Sequence, residues 1–191
     1  TEDPAHGSQE RVAYNGHFGL SCFHPLFAFT SGGACLGAKL RPGNVHSADG
    51  TLPFIHPIVE RYRSWFGLLW LRGDAAFASP DIYEYCEGKR ITYFIRLRAN
   101  AKLYEEVSPH MARPVGRPPR SGRQVKVVDF SYQAKSWTRP RRVVCKLEWG
   151  PNQLIPDMNF IVTNSRLNRT KVIKAYNGRG DARNRIKEGK N

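Results

Sequence analysis

The stretch "LLWLRGDAAFASPDIYEYCEGKRITYFIRLRAN", Leu68 to Asn100, decides the fold class. Leu68 to Leu71 is an apolar run of strand length and reads as a buried strand. Ser79, Pro80 and Asp81 then supply a capping side chain, a proline for the first helical turn and an acid near the helix dipole's positive end. Ile82, Tyr85 and Cys86 give that helix an apolar face, and Gly88 stops it. Ile91 to Leu97 is rich in β-formers. Strand, loop, helix and strand in this order predict a right-handed βαβ unit.

Upstream, "LSCFHPLFAFTS" (Leu20 to Ser31) and "ACLGAKLRPGN" flank the turn residues Ser31, Gly32 and Gly33, which predicts a hairpin over 20–41. In "NVHSADGTLPFIHPIVERYRSWFG" the period changes. Phe54, Ile58, Tyr62 and Trp65 fall at helical spacing, with Gly67 as a stop. Downstream, "HMARPVGRPPRSGRQ" (110–124) reads as a loop. "VKVVDFSYQAKSW", "RRVVCKLEW" and "MNFIVTNS" read as three strands, and a helix follows from Leu167. The whole pattern is mixed α/β.

The 191 residues suit one domain with a sizeable core. Lys and Arg number 30 against 16 Asp and Glu, a formal charge of +14. Such an excess repels itself unless a polyanion binds, with nucleic acid the commonest partner and an anionic membrane surface the next. No apolar run approaches the ~20 residues of a membrane span, so no membrane role is expected. Cys22, Cys35, Cys86 and Cys145 show no C-x-x-C pair and no zinc spacing; they could form two disulfides, but Cys86 in a helix-like, half-apolar segment favours the thiols of a cytoplasmic protein.

Asp74 is the most informative residue. It stands just beyond the carboxyl end of a strand and before small residues, where ligands collect in open α/β sheets. A turn or helix-capping role is the competing reading. Residues 110 to 146 hold ten Lys or Arg against Asp129 alone, interleaved with Phe130, Tyr132 and Trp137. Cations for phosphates and rings for unstacked bases are what a nucleic-acid surface needs, which nominates Arg139, Arg141, Arg142 and Trp137. The competing reading is a solvated β-face with its aromatics in the core.

"LRGDAAFASPDIYEY", "ITYFIRLRAN", "FIVTN" and "YNGRGDARNRIKEGK", with "HGSQE", "YNGH" and "RPGNVHSADG" upstream, resemble bacterial insertion-sequence transposases of the DDE class. The likeness runs from Thr1 to Asn191. It implies an RNase H-like α/β fold: a mixed sheet with flanking helices and a β-rich insertion before the C-terminal helix. The implied segments are 1–109 for the core part, 110–165 for a basic β-rich insertion and 166–191 for the signature helix, with a first core strand upstream of Thr1.

The implied activity is cleavage and strand transfer at transposon ends, by two Mg2+ ions held by Asp, Asp and Glu. The resemblance makes Asp74 the second acid and metal ligand. Asp3 lies in the block of the first but is offset from its slot. In the Y-x2-R-x3-E-x6-K signature, Tyr176, Arg179 and Lys190 match as DNA contacts, and the Glu slot holds Arg183. At ~100° per residue, these four positions share one helical face within about 60°. A guanidinium there cannot ligate Mg2+, so a catalytically impaired copy is expected. The resemblance also implies transposon-end DNA as partner, a homodimer of the full-length protein and a nucleoid-associated location. A non-catalytic basic DNA-binding module is the rival expectation.

Overall fold

The computed structural model describes residues 3–5, 9, 12–116 and 122–178. Contacts divide these residues after Gly67 into two compact units.

In the first unit, β1 (Asp3–Pro4), β2 (Ala13–Asn15) and β3 (Leu20–Phe23) form an antiparallel sheet in the order β1-β3-β2. β4 (Leu26–Phe29) and β5 (Cys35–Lys39) pair separately. The hairpin expected over 20–41 is therefore β4–β5 alone. Pro25, which has no N–H to donate, separates β3 from β4. Arg41 fastens the next loop. Its buried guanidinium donates to the carbonyl oxygens of His24, Ser47 and Asp49 at 2.9, 3.1 and 2.6 Å. Gly43 admits no side chain, because a Cβ there would lie 2.4 Å from the Cys22 carbonyl and 2.6 Å from that of Ala13. α1 (Thr51–Arg63) follows, entered through Gly50 at φ 68°. Its Phe54 and Ile58 rest on Gly37 of β5, as their helical spacing predicts. Trp65 lies past the helix end and is 74% exposed.

The second unit holds β6 (Trp70–Gly73), α2 (Pro80–Gly88), β7 (Thr92–Leu97), α3 (Ala101–Val107), β8 (Gln124–Tyr132), β9 (Arg141–Trp149), β10 (Asp157–Thr163) and α4 (Arg169–Asn177). Its five-stranded sheet runs β6-β7-β10-β9-β8. β6 and β7 are parallel and joined through α2, as the βαβ pattern requires, and the other pairings are antiparallel. The architecture is mixed α/β, consistent with an RNase H-like fold.

Two details differ from the sequence reading, the bounds of β6 and an extra helix. The strand expected at Leu68–Leu71 runs from Trp70 to Gly73 and is an edge strand, with Leu68 62% and Trp70 43% exposed. Among the described residues it pairs with β7 alone, which leaves its apolar residues partly exposed. The β-rich stretch before α4 joins this sheet, since β10 pairs with β7 and carries β9 and β8 with it. α3 is an additional helix. The Asn100 side chain caps it by accepting from Leu103 N at 3.0 Å, and Leu103 and Val107 bury one face.

Alternation along β7 assigns the sheet's two faces. On one, Tyr93 stacks on Tyr83 of α2, and Phe160 of β10 meets Tyr104 of α3 edge-on. On the other, Phe94, Val144 and Ile161 pack against Val172 and Ile173 of α4.

An ion pair ties β9 to α2. Arg141, its side chain 2% exposed, donates from Nε and Nη2 to the Glu87 carboxylate, each at 2.9 Å. Tyr93 Oη and Arg139 donate to the same carboxylate at 2.9 and 2.6 Å. The rings of Tyr83 and Trp137 cover the guanidinium at 5.2 and 5.5 Å. Burial alone raises the Glu87 pKa, but the bonds from Arg141, Arg139 and Tyr93 outweigh it and hold the carboxyl at about 2.

Two stability predictions follow from this packing. Glu87→Gln leaves a buried guanidinium with only the more exposed Glu84, 3.9 Å away, as counter-charge and costs up to about 3–5 kcal/mol in urea unfolding at neutral pH. Because the folded pKa lies below the unfolded one, the Glu87 contribution is complete above about pH 4.5 and is lost as pH falls toward 2. The variant's acid limb flattens over that window; an unchanged limb rejects the assignment. Gly43→Ala forces the Cys22 and Ala13 carbonyls apart and lowers the melting temperature of the first unit's transition, whereas Gly16→Ala, with open space around its Cβ, leaves it nearly unchanged.

Candidate functional site

Asp74 follows the last residue of β6, at the carboxyl edge of the parallel β6–β7 pair. It is half-buried, and its Oδ1 accepts from Ala76 N at 3.0 Å, capping the short 3-10 helix Ala75–Phe77. The capping role and the edge position hold together. The chain turns tightly there: a Cβ on Gly73 would lie 3.1 Å from Phe77 Cβ and 3.5 Å from Ile95 Cγ1.

α4 crosses the sheet toward this point. Its N-cap is Asn168, whose Oδ1 accepts from Thr170 N at 2.9 Å. Arg169, in the first turn, lies 3.8 Å from Asp129 of β8. At the far end, Tyr176 packs against the Phe94, Val144 and Ile161 cluster. A Cβ on Gly178 would sit 2.7 Å from Arg72 Nη1. The helix thus arrives at β6 two positions before Asp74. Arg179, Arg183 and Lys190 lie outside the described residues, as do Asp181 and Glu188. Asp3 stands in β1 of the first unit, paired with Phe23.

The arginines nominated from the basic stretch have internal duties. Arg141 is enclosed with Glu87. Trp137 is 7% exposed, with Tyr83 and Tyr132 edge-on to it at 5.4 Å each. Neither presents a free surface to DNA, a correction with a plain cause: the ring fills the core, and the cation beside it needs an acid. Arg142 donates from Nε and Nη2 to Asp129 Oδ2 at 3.0 and 2.7 Å, and from Nη1 to the Ser165 and Leu167 carbonyls at 2.9 and 2.7 Å. It holds the segment that leads into α4. Arg139 is outward, its side chain 60% exposed, but pairs with Glu87.

Glu87 is the residue that sequence reasoning missed. Only Asp129 was available within the basic stretch itself, and the second acid came from α2, more than fifty positions upstream. The signal was its place one turn after Tyr83, on the helix's buried side.

Among the described residues, no three His, Cys, Asp or Glu side chains gather into a metal-binding group. No described helix is long and apolar enough to cross a membrane.

These features belong to a mixed α/β domain with a carboxylate at the end of its parallel strand pair. The family model for the transposase DDE domain, group 1, matches residues 1–191, and the chain belongs to that family. Its function is therefore related to transposition, and the family implies a DNA partner. A comparison with curated proteins gives no match.

The geometry separates two neighbouring arginines. Arg142→Ala frees two backbone carbonyls, leaves Asp129 with Arg169 alone, and costs about 1–3 kcal/mol. Arg139→Ala removes an exposed partner and costs less than about 1 kcal/mol. Chemical denaturation of both variants checks this, and equal losses contradict it.

Proposed function

We propose that the chain is the DNA-handling part of an insertion-sequence transposase, acting on transposon ends by the cleavage and strand-transfer chemistry of its family, and that this copy is catalytically impaired. The observation that carries the reading is the convergence of two elements: Asp74 at the carboxyl edge of β6, and the end of α4 brought against Arg72. In the proposal Asp74 is the second acid and a metal ligand. Tyr176, Arg179 and Lys190 contact DNA phosphates, and Arg183 occupies the third acid's slot. Arg139 is kept as an outward cation, while Arg141, Arg142 and Trp137 become structural. Asp3 has no part in it. A homodimer of the full-length protein belongs to the same proposal.

The family typically uses a divalent metal. Two Mg2+ ions ~4 Å apart need several converging carboxylates. Asp74 supplies one, already engaged with Ala76 N, so the described donors do not by themselves fit two ions. No catalytic step is assigned through metal. What the residues support is binding and orientation of a phosphate backbone beside Asp74. In the third acid's slot, a guanidinium in place of a carboxylate favours holding a phosphate and opposes ligating a cation.

The direct test incubates the unmodified chain with plasmid carrying the element's ends and Mg2+. No cleavage is expected, and Arg183→Glu alone does not restore it; robust Mg2+-dependent cleavage by the unmodified chain refutes the impaired reading. Asp74→Ala leaves DNA affinity intact or raises it, because a carboxylate repels phosphate. A large loss of affinity for the folded variant removes Asp74 from the metal-ligand role.

A further inference from the structure

The helices that coat the five-stranded sheet carry opposite charge. α2 holds Asp81, Glu84 and Glu87 and no Lys or Arg. α3, on the same face, holds Glu105 and Glu106 against Lys102. α4, on the other face, holds Arg169, Lys171 and Lys174 and no acid. The carboxylates that β8 and β9 place on the α4 face are already matched: Asp129 by Arg142 and Arg169, and Glu148 by Arg123 and Lys146. Arg96 of β7, opposite Ile161 in the register, adds an exposed cation to that face. Lys171, Lys174 and Arg166 are exposed, and among the described residues none makes an ion pair. Lys171 and Lys174 are one turn apart, so their ammonium groups project from one side of the helix.

We infer that the α4 face, and not the basic β8–β9 stretch, is the track on which the backbone of duplex DNA lies. Lys171, Lys174, Arg166 and Arg96 are its phosphate contacts. This rests on the DNA-handling reading above and gives it a surface. A rod of regularly spaced negative charge needs cations that are unpaired and on one side. This face supplies them, and the α2–α3 face would repel the same rod. The track leads along α4 to Tyr176 and Arg72, next to β6 and Asp74, so backbone held there runs toward that carboxylate.

The test measures binding of the full 191-residue chain to a labelled random-sequence DNA duplex across a salt series. The variants are Lys171→Glu, Lys174→Glu, the pair together, and Lys102→Glu on α3 as a control that matches each single reversal in charge change. All are checked by thermal melting. The pair is expected to weaken binding about tenfold or more and to lower the log–log salt slope by about 2, with Lys102→Glu near wild type. If the paired reversal melts, Lys171→Gln with Lys174→Gln carries the same expected loss of slope. If the wild type binds with a steep salt dependence but the α4 variants match it, or Lys102→Glu weakens binding equally, the inference falls and the DNA-handling reading stands. If the wild type does not bind duplex at all, both fall. If the α4 variants lose affinity for anionic-lipid vesicles but not for DNA, the track belongs to a membrane surface and the inference is wrong.

Discussion

The second unit depends on the pairing of β7 with β10. β7 has β6 parallel on one side and β10 antiparallel on the other, and Tyr93, Phe94 and Ile95 at its centre are wholly buried. Backbone groups in such a strand must all find partners. Where the ladder ends at Thr163, side chains continue it. Thr163 Oγ1 donates to the Tyr93 carbonyl at 2.6 Å, and Asn164 takes Tyr93 N at 3.0 Å and gives to the Ile91 carbonyl at 2.9 Å. These bonds join residues some seventy positions apart. Closing so long a loop costs only slightly more than closing a short one, because the entropy grows logarithmically with length. The βαβ segment and the three-stranded meander therefore share one sheet and are expected to unfold together.

Everything placed on the sheet inherits β7's alternation. Tyr93 faces α2 and Phe94 faces α4, so a one-residue slip would exchange the two coats and bury the wrong helix faces. Arg141 and Glu87 guard that register from one side, since the pair meets only when β9 and α2 stand in their present places. Breaking it is costly because an unpaired guanidinium would remain among aromatic rings. Arg142 does the corresponding work on the opposite face. It is the adjacent residue, points the other way, and grips the entrance to α4. One Arg-Arg dipeptide thus anchors a helix on each side of the sheet.

Much of this was legible in the sequence, and the failures are instructive. The βαβ unit and the three later strands could be read because their periodicity and caps are local. Asp74 could be read because its place depends on one strand end. Burial of β6 could not, because it depends on how many neighbours a strand has, which no window of residues reveals. Nor could the shared sheet, since the β7–β10 pairing spans more than sixty residues. The internal duties of Trp137, Arg141 and Arg142 were not legible, for one reason. A count of cations within a segment does not know that a carboxylate from a distant helix will meet them.

That reason bears on how a strongly basic domain is read. A net charge of +14 says that cations outnumber acids, but not where the excess lies. Here half of the cations of the basic stretch 110–146, namely Arg123, Arg139, Arg141, Arg142 and Lys146, are paired within the fold with Glu87, Asp129 and Glu148. Part of the charge left unpaired among the described residues sits on α4, a helix of nine residues. Burial makes the difference. A cation enclosed with aromatic rings must have an acid, and a cation at the surface need not. The charges that can attract a polyanion are therefore those the core did not require, and α4 carries two of them, Lys171 and Lys174, on its outward side.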